Sequence, residues 1–382
     1  MHIMVVPSWY SSKYNEVHGS FFKEQFEALK KSGEKITVAY NEILPVTKIL
    51  SDNQKKGIIS AVEDGLDTYR FRNYNFLPKN PNMFRVFNKR MEKLYLKICK
   101  ERGTVDIIHA HSAFWGGISA AYVAKKYNIP FVLTEHSSLK YSVYYKKSYY
   151  KWVKYAYDSA DRLISVGNDL KKEMQNYTDN KIIVVPNLID LEMFAPKKEK
   201  ARNNKFTFFS LAYLVEGKGM ERLIKAFSEV FKGQKVVLNI GGDGPLKQEL
   251  IELSQNLGVS KQINFLGLLT RNQVTDCVNN CDAFVLASEH ESFGVVYIEA
   301  MAVGKPVLGT KNGGAEDIIN HKNGVIVENK NHKALTEGLI QIYNNVKANK
   351  YNSHDIRLEC INKYSEKAII GRLKSIYNEI KK

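Results

Sequence analysis

Cysteine is scarce in this chain, with residues at positions 99, 277, 281 and 360 of 382. So few thiols give no disulfide framework for a protein of this length. Cys277 and Cys281 form the one close pair. No further Cys or His stands at zinc-site spacing, so they read as buried thiols rather than ligands. No run of 18 apolar residues occurs, which excludes a spanning helix. The N-terminal MHIMVVPSWY has no basic stretch leading into a long apolar one, so no secretion signal is expected. Acids are in deficit: 40 Asp and Glu face 56 Lys and Arg, a net charge of +16. That surplus suits nucleic acid, anionic lipid or a phosphorylated substrate without choosing among them. The expectation is a cytoplasmic chain, free or held peripherally on the inner face of the membrane.

What is present is a rhythm. Short β-branched runs alternate with longer amphipathic segments, the pattern of βαβ units and parallel sheets. Strands are expected at 2–7, 35–40, 105–110, 130–135, 162–166 and 181–186, with helices at 20–31, 83–101 and 114–127 between them. The second half repeats the pattern at 206–212, 235–242, 263–267, 283–288, 306–309 and 324–328. Between the halves, NLIDLEMFAPKKEKARNNK carries Pro196 and a run of charge, and reads as a linker. The expected architecture is α/β: two Rossmann-like, doubly wound domains, 1–186 and 205–363, facing across a cleft and joined by 187–204. The final YSEKAIIGRLKSIYNEIKK, 364–382, reads as an amphipathic helix.

In such sheets ligands settle at the carboxyl ends of the strands. The first strand is followed by PSWYSSKYNEVHG, not by G-x-G-x-x-G, and GGDGPL at 241–246 has Lys247 where the third glycine belongs, so dinucleotide oxidoreduction is excluded. No G-x-x-x-x-G-K-[ST] occurs either. The informative stretch is LASEHESFGVVYIEAMAVGKPVLG, 286–309. A strand ends near Ser288, and a helix is expected from about Gly294 to Val303. The free amides of Gly294, Val295 and Val296 make a partial positive charge suited to phosphate. Glu291 precedes this helix start and Glu299 lies one turn past Val295. A carboxylate takes two donors and so suits vicinal hydroxyls. A diphosphate between a sugar and a ribose satisfies the pattern. An ordinary surface helix, with Glu299 in a cap or salt bridge, satisfies it as well.

The block SEHESFGVVYIEAMAVGKPVLGTKNGGAEDI resembles the signature of the retaining, GT-B-fold glycosyltransferases of family 4, the glycosyl transferases group 1. Glu291, Phe293, Gly294, Glu299, Gly304, Pro306, Gly313, Gly314 and Glu316 fall in step with it. DIIHAHS, TEHS, ADRLISVG, VVPNLID, KGMERLIKAF, IGGDGPL and INFLG follow in the family's order. The resemblance implies a GT-B fold with the C-terminal helix 364–382 packing back on an acceptor-binding N-terminal domain, and a nucleotide-sugar-binding C-terminal domain.

It also implies roles. Glu291 orients the donor sugar, Glu299 binds the ribose, and Lys218 meets the diphosphate, where a cation offsets charge on the leaving group. Phe293 and the Gly294–Val296 amides complete that contact. His136 stands by the donor sugar and the reacting centre. Gly19 and Ser20 approach the donor phosphates, Ser20 also fitting a helix N-cap, and Leu268 and Leu269 offer backbone groups to the base. His111 is a weaker candidate for touching acceptor, and His109 reads as structural. Two positions depart from the pattern. Ala212 and Tyr213 stand where the family carries Gly-Arg, so Tyr213 replaces a phosphate-binding arginine, and NLID replaces Asn-Gly-Val-Asp.

No D-x-D motif occurs, which agrees with a site expected to need no metal or other cofactor. The expected reaction moves a sugar from a nucleotide diphosphate to an acceptor hydroxyl with retention, in the building of a cell-surface polysaccharide, lipopolysaccharide or glycolipid. Another GT-B enzyme, such as a nucleotide-sugar epimerase or a phosphorylase, is the alternative. Segment 140–157, KYSVYYKKSYYKWVKYAY, holds five lysines, eight aromatics and no acid. It reads as a basic-aromatic helix for an anionic membrane surface, where a lipid-linked or glycan acceptor would be handled. No nucleic-acid reader motif accompanies it.

Overall fold

The computed structural model describes residues 1–11, 19–50, 53–197 and 204–381. The chain divides into two compact units, 1–188 with 369–382, and 189–368.

The first unit contains strands β1 (His2–Pro7), β2 (Lys35–Leu44), β3 (Gly57–Glu63), β4 (Leu66–Tyr74), β5 (Ile107–His111), β6 (Phe131–Glu135), β7 (Arg162–Ser165) and β8 (Ile182–Val184). They line up as β3-β4-β2-β1-β5-β6-β7-β8, parallel apart from β3 on β4. Helices α1 (Ser20–Lys31), α2 (Met83–Arg102), α3 (Ile118–Tyr127), α4 (Tyr150–Asp158) and α5 (Asn168–Met174) connect them. Helix α1 buries Phe22, Phe26 and Leu29 at helical spacing.

The pair β3–β4 was not among the expected strands. Its turn is Asp64-Gly65, both at positive φ (50° and 78°), the backbone that a two-residue hairpin demands. The expected helix at 114–127 starts later, at Ile118. Before it, Phe114 and Trp115 lie outside helical geometry, Trp115 at φ 78°, ψ −80°. Here the chain turns sharply off β5, and Gly117 N donates back to Ser112 O at 3.0 Å.

The second unit contains β9 (Phe206–Leu211), β10 (Val236–Gly241), β11 (Ile263–Gly267), β12 (Ala283–Leu286), β13 (Val307–Thr310) and β14 (Gly324–Val327). All pairings are parallel, in the order β11-β10-β9-β12-β13-β14. Helices α6 (Met220–Phe231), α7 (Lys247–Asn256), α8 (Arg271–Asn280), α9 (Val295–Ala302), α10 (Ala315–Ile318), α11 (His332–Lys347) and α12 (Ser353–Tyr364) accompany them.

Two expected boundaries change. Residues 198–203 of the expected linker 187–204 lie outside the described residues, but 189–197 belong to the second unit. Phe194 there is fully buried, and Asn279 Nδ2 donates to Ala195 O at 3.3 Å. The apolar LIDLEMF start of the segment explains this: it has side chains to bury. The last helix, α13, spans Glu366–Ile380, and from Ile369 onward it belongs to the first unit. Its Ile369, Ile370, Leu373, Ile376 and Tyr377 are buried in one cluster with Ile3, Val5, Phe26 and Ile164. At roughly 1.5–3 kcal/mol for each buried side chain, this helix supplies a substantial part of that cluster.

Candidate active site

In the second unit the strand order reverses between β9 and β12, and the loops leaving those two strands meet there. Such a switch point is where open parallel sheets bind ligands. The loop after β9 is pinned on one side by Ala212 N to Gly241 O (3.2 Å) and Leu214 N to Asp243 O (2.9 Å). On the other, Gly217 O accepts from Glu289 N at 2.7 Å. Gly219 ends the loop at φ 69°, and a Cβ there would stand 1.9 Å from Ala287 O. Only glycine allows that approach. Lys218, one residue earlier, is thereby set against Glu291, 73 positions away, with Nζ to Oε1 at 2.7 Å.

Glu291 is itself fixed by its N–H, which donates to Asn312 O at 2.9 Å. Gly294 caps α9 at φ 91°, where a Cβ would press the Tyr297 ring at 2.6 Å. Val295 and Val296, half-buried, open the helix with their amides at its positive end. Phe293 is buried against Tyr364 (ring centroids 5.9 Å apart) and anchors the turn from below. Glu299 is buried to 2% exposure, and Arg271 Nη1 donates to its Oε1. A helix start is thus flanked by two acid–base pairs, Lys218–Glu291 and Arg271–Glu299. Beside it, Leu268 and Tyr213 are 72% and 60% exposed, while Leu269 packs over Gly241.

In the first unit the reversal falls between β1 and β5. Gly19, at φ 78°, is the N-cap of α1, and a Cβ on it would meet Trp9 O at 2.8 Å. Ser20 is therefore the first helical residue and not the cap; the close approach to Trp9 gives the cap position to glycine. His136, just past β6, is buried, and its Nε2 lies 3.0 Å from Nδ1 of His111. Asn187 acts on this ring, whose Nδ1 makes no hydrogen bond of ordinary geometry among the described residues. His111 is fully buried between Phe22, Phe26 and His136. The expectation that it touches acceptor is therefore corrected: its partner is His136. His109 is braced by Tyr377 (2.7 Å) and Thr134 (2.8 Å). Burial holds all three rings neutral, pulling His109 and His136 down to about 3 and His111 well below its ordinary value.

Three features escaped the sequence reading. Glu135, wholly buried, accepts from the amides of Ala113 (2.9 Å), His136 (3.0 Å) and Ser137 (3.2 Å) and from the Tyr157 hydroxyl (3.0 Å). It ties the turn after β5 to the end of β6; the signal was an acid closing the apolar run PFVLTE. Glu289 joins Lys330 (2.7 Å) and Arg222 (2.6 Å), which hold its carboxyl below the usual range. Arg271 is the third, and its signal was a cation in the first turn of a helix, against the dipole.

Segment 140–157 is α-helical only from Tyr150, after a single 3₁₀ turn at Lys147–Tyr149. Its apolar side is spent inside the unit, with Tyr149 and Trp152 each 5.4 Å from Phe84 between ring centroids. The loop before it exposes Tyr141, Val143 and Tyr144 beside Lys140, Lys146 and Lys147.

Two Rossmann-like units, with candidate residues in the loops that leave their parallel strands, have the architecture of the GT-B fold. The family model described as Glycosyltransferase Family 4 matches residues 23–193, and that of glycosyl transferases group 1 matches 193–356. An uncharacterized glycosyltransferase of Methanocaldococcus jannaschii is 30% identical over 285 residues, 72% of this chain and 76% of that protein. TuaC of Bacillus subtilis, a glycosyltransferase assigned to teichuronic acid biosynthesis, is 29% identical over 355 residues, 89% of this chain and 88% of its own. The fold matches that of Anabaena HepE in complex with UDP at a TM-score of 0.75, with 16% identity, over 99% of this chain and 100% of that one. The chain belongs to the family 4, group 1 glycosyltransferases.

Proposed function

We propose that this glycosyltransferase takes a sugar from a nucleotide-diphosphate donor and gives it, with retention, to an acceptor hydroxyl of a cell-surface glycan. The observation that carries the reading is the helix start at Gly294 with Glu291 and Glu299 on its flanks. The diphosphate lies on the Gly294, Val295 and Val296 amides, which bind anions through both hydrogen bonds and the dipole. Lys218 moves from Glu291 to the phosphates and offsets the charge that grows on the leaving group, leaving Glu291 for the sugar hydroxyls. Glu299 takes the ribose hydroxyls, and the backbone at Leu268 and Leu269 takes the base. His136, neutral at physiological pH, offers Nδ1 to the donor sugar as a hydrogen-bonding group. No step requires a metal, since amides and lysine carry the phosphate charge.

A surface polysaccharide acceptor is supported by the likeness to TuaC, and a nucleotide donor by the fold shared with HepE, which binds UDP. The exposed Tyr141–Tyr144 loop with its lysines suits contact with an anionic membrane from the cytoplasmic side. The test is a thermal-shift screen of nucleotide sugars, followed by turnover with the stabilising donor. Glu291→Ala should abolish transfer, and Glu299→Ala should chiefly weaken nucleotide binding. Wild-type rates in both variants would overturn the reading.

A further inference from the structure

We infer that Arg271 is the positioning residue that makes this site selective for a ribonucleotide, by holding Glu299 in the orientation its 2′- and 3′-hydroxyls require. The inference rests on the reading of Glu299 as the ribose ligand.

Glu299 is buried, and an untethered carboxylate there would be unpaired and free among the rotamers that the helix allows. Arg271 removes that freedom. It donates through Nη1 to Oε1, which leaves the second carboxylate oxygen to receive hydroxyl donors. Both the guanidinium and the backbone that carries it are held in turn. The Cζ of Arg271 lies over the buried Phe194 ring, 4.9 Å from the centroid. Its backbone opens α8 immediately after a capping box, in which Thr270 accepts from Gln273 N and Gln273 Oε1 accepts from Thr270 N at 2.8 Å. A cation at a helix start is set against the dipole, so helix stability does not account for it. The contact with Glu299, 28 positions away, does. Arg271 also follows directly on Leu268, Leu269 and Thr270, so one short segment ends in the group that orders the ribose carboxylate.

A fork held on an aromatic face is not replaced by a lysine, whose single charge has no plane to stack. Arg271→Lys should therefore behave as an intermediate between wild type and Arg271→Gln.

The experiment titrates UDP, GDP and ADP, each beside its 2′-deoxy counterpart, into the full-length wild type, Arg271→Gln, Arg271→Lys and Glu299→Gln, by calorimetry. Wild type should prefer the ribose form of its nucleotide by about tenfold or more, the scale of a hydrogen bond to a charged group. Arg271→Gln should lose most of that preference while binding the deoxy form nearly as wild type does. The double variant with Glu299→Gln should lose no more. A merely structural arginine would weaken both forms alike, and a direct phosphate ligand would do the same; either result overturns the inference, as does an unchanged preference. Should Phe194→Leu, which keeps the charge, leave the preference intact, stacking has no part in it and the fixed-fork argument fails. Should wild type bind none of the diphosphates, the nucleotide reading itself falls, a result separable from the others because it precedes any comparison of variants.

Discussion

Gly219→Ala tests whether the approach of two loops, rather than any single side chain, assembles the site. At φ 69° an alanine bears a left-handed backbone, worth about 1–2 kcal/mol against folding. Its methyl would also lie 1.9 Å from Ala287 O, where carbon and oxygen ordinarily keep about 3.3 Å. The loops must therefore part by about 1.4 Å, the difference between that spacing and the ordinary contact. That movement strains the bond from Glu289 N to Gly217 O and shifts Lys218 relative to Glu291 and the helix start at Gly294. Displacements near 1 Å in a reacting constellation cost about a hundredfold in rate. The control stands in the same loop: at Gly217, φ 82°, an added methyl would have nothing within 4 Å. Gly217→Ala should suffer the backbone penalty alone. Scanning calorimetry should show both variants destabilised, with Gly219→Ala losing roughly 2 kcal/mol more, about the worth of two hydrogen bonds. Nucleotide-sugar turnover should fall about a hundredfold in Gly219→Ala and less than about threefold in Gly217→Ala. Equal behaviour of the two would refute the loop-contact argument.

The buried histidines predict a pH dependence. Their folded values lie far below the 6.5 of an unfolded imidazole, so the unfolded chain binds the additional protons and stability falls on acidification from about pH 6.5 towards 3. His2, buried in the same unit, is lowered by burial too and acts in the same direction. Glu135, which burial pushes up, opposes this with a single group. The three tryptophans, at 9, 115 and 152, all lie in the first unit, so urea titrations followed by their fluorescence read it selectively. A midpoint flat from about pH 7.5 to 5.5 would contradict the buried neutral rings. Separately, Tyr213→Arg restores the cation that the family carries there; affinity for the nucleoside diphosphate should rise about tenfold and fall again with salt. Unchanged affinity would mean that this exposed position does not face the phosphates.

Most strands were legible because a parallel strand buried on both faces leaves a run such as IMVV or AFVL that little else explains. The pair β3–β4 was not, since GIISAVE and LDTYRFRNY lie at the sheet edge and need no continuous apolar run, although Asp64-Gly65 was a hairpin signal in plain sight. The glutamates and glycine at the start of α9 were legible for a local reason: their spacing is set by one turn and one helix. Lys218 was legible only through the family resemblance, and its partner was not, because 73 positions and the order of the strands decide what it meets. Arg271, Glu135 and the pairing of His111 with His136 belong to that second kind. Residue types can be read along a chain, but which loops share the end of a sheet is written in the topology.

The return of α13 to the first unit sets an order on biosynthesis. A ribosome that has made residues 1–188 has supplied every strand of that unit but none of Ile369, Leu373, Ile376 or Tyr377. Its early half must wait, with apolar surface uncovered and His109 lacking its phenol partner, while 189–368 emerge as an uninterrupted segment free to fold first. The returning helix is thus the keystone of a unit begun long before it, and the nascent chain is most in need of a chaperone in the interval between them.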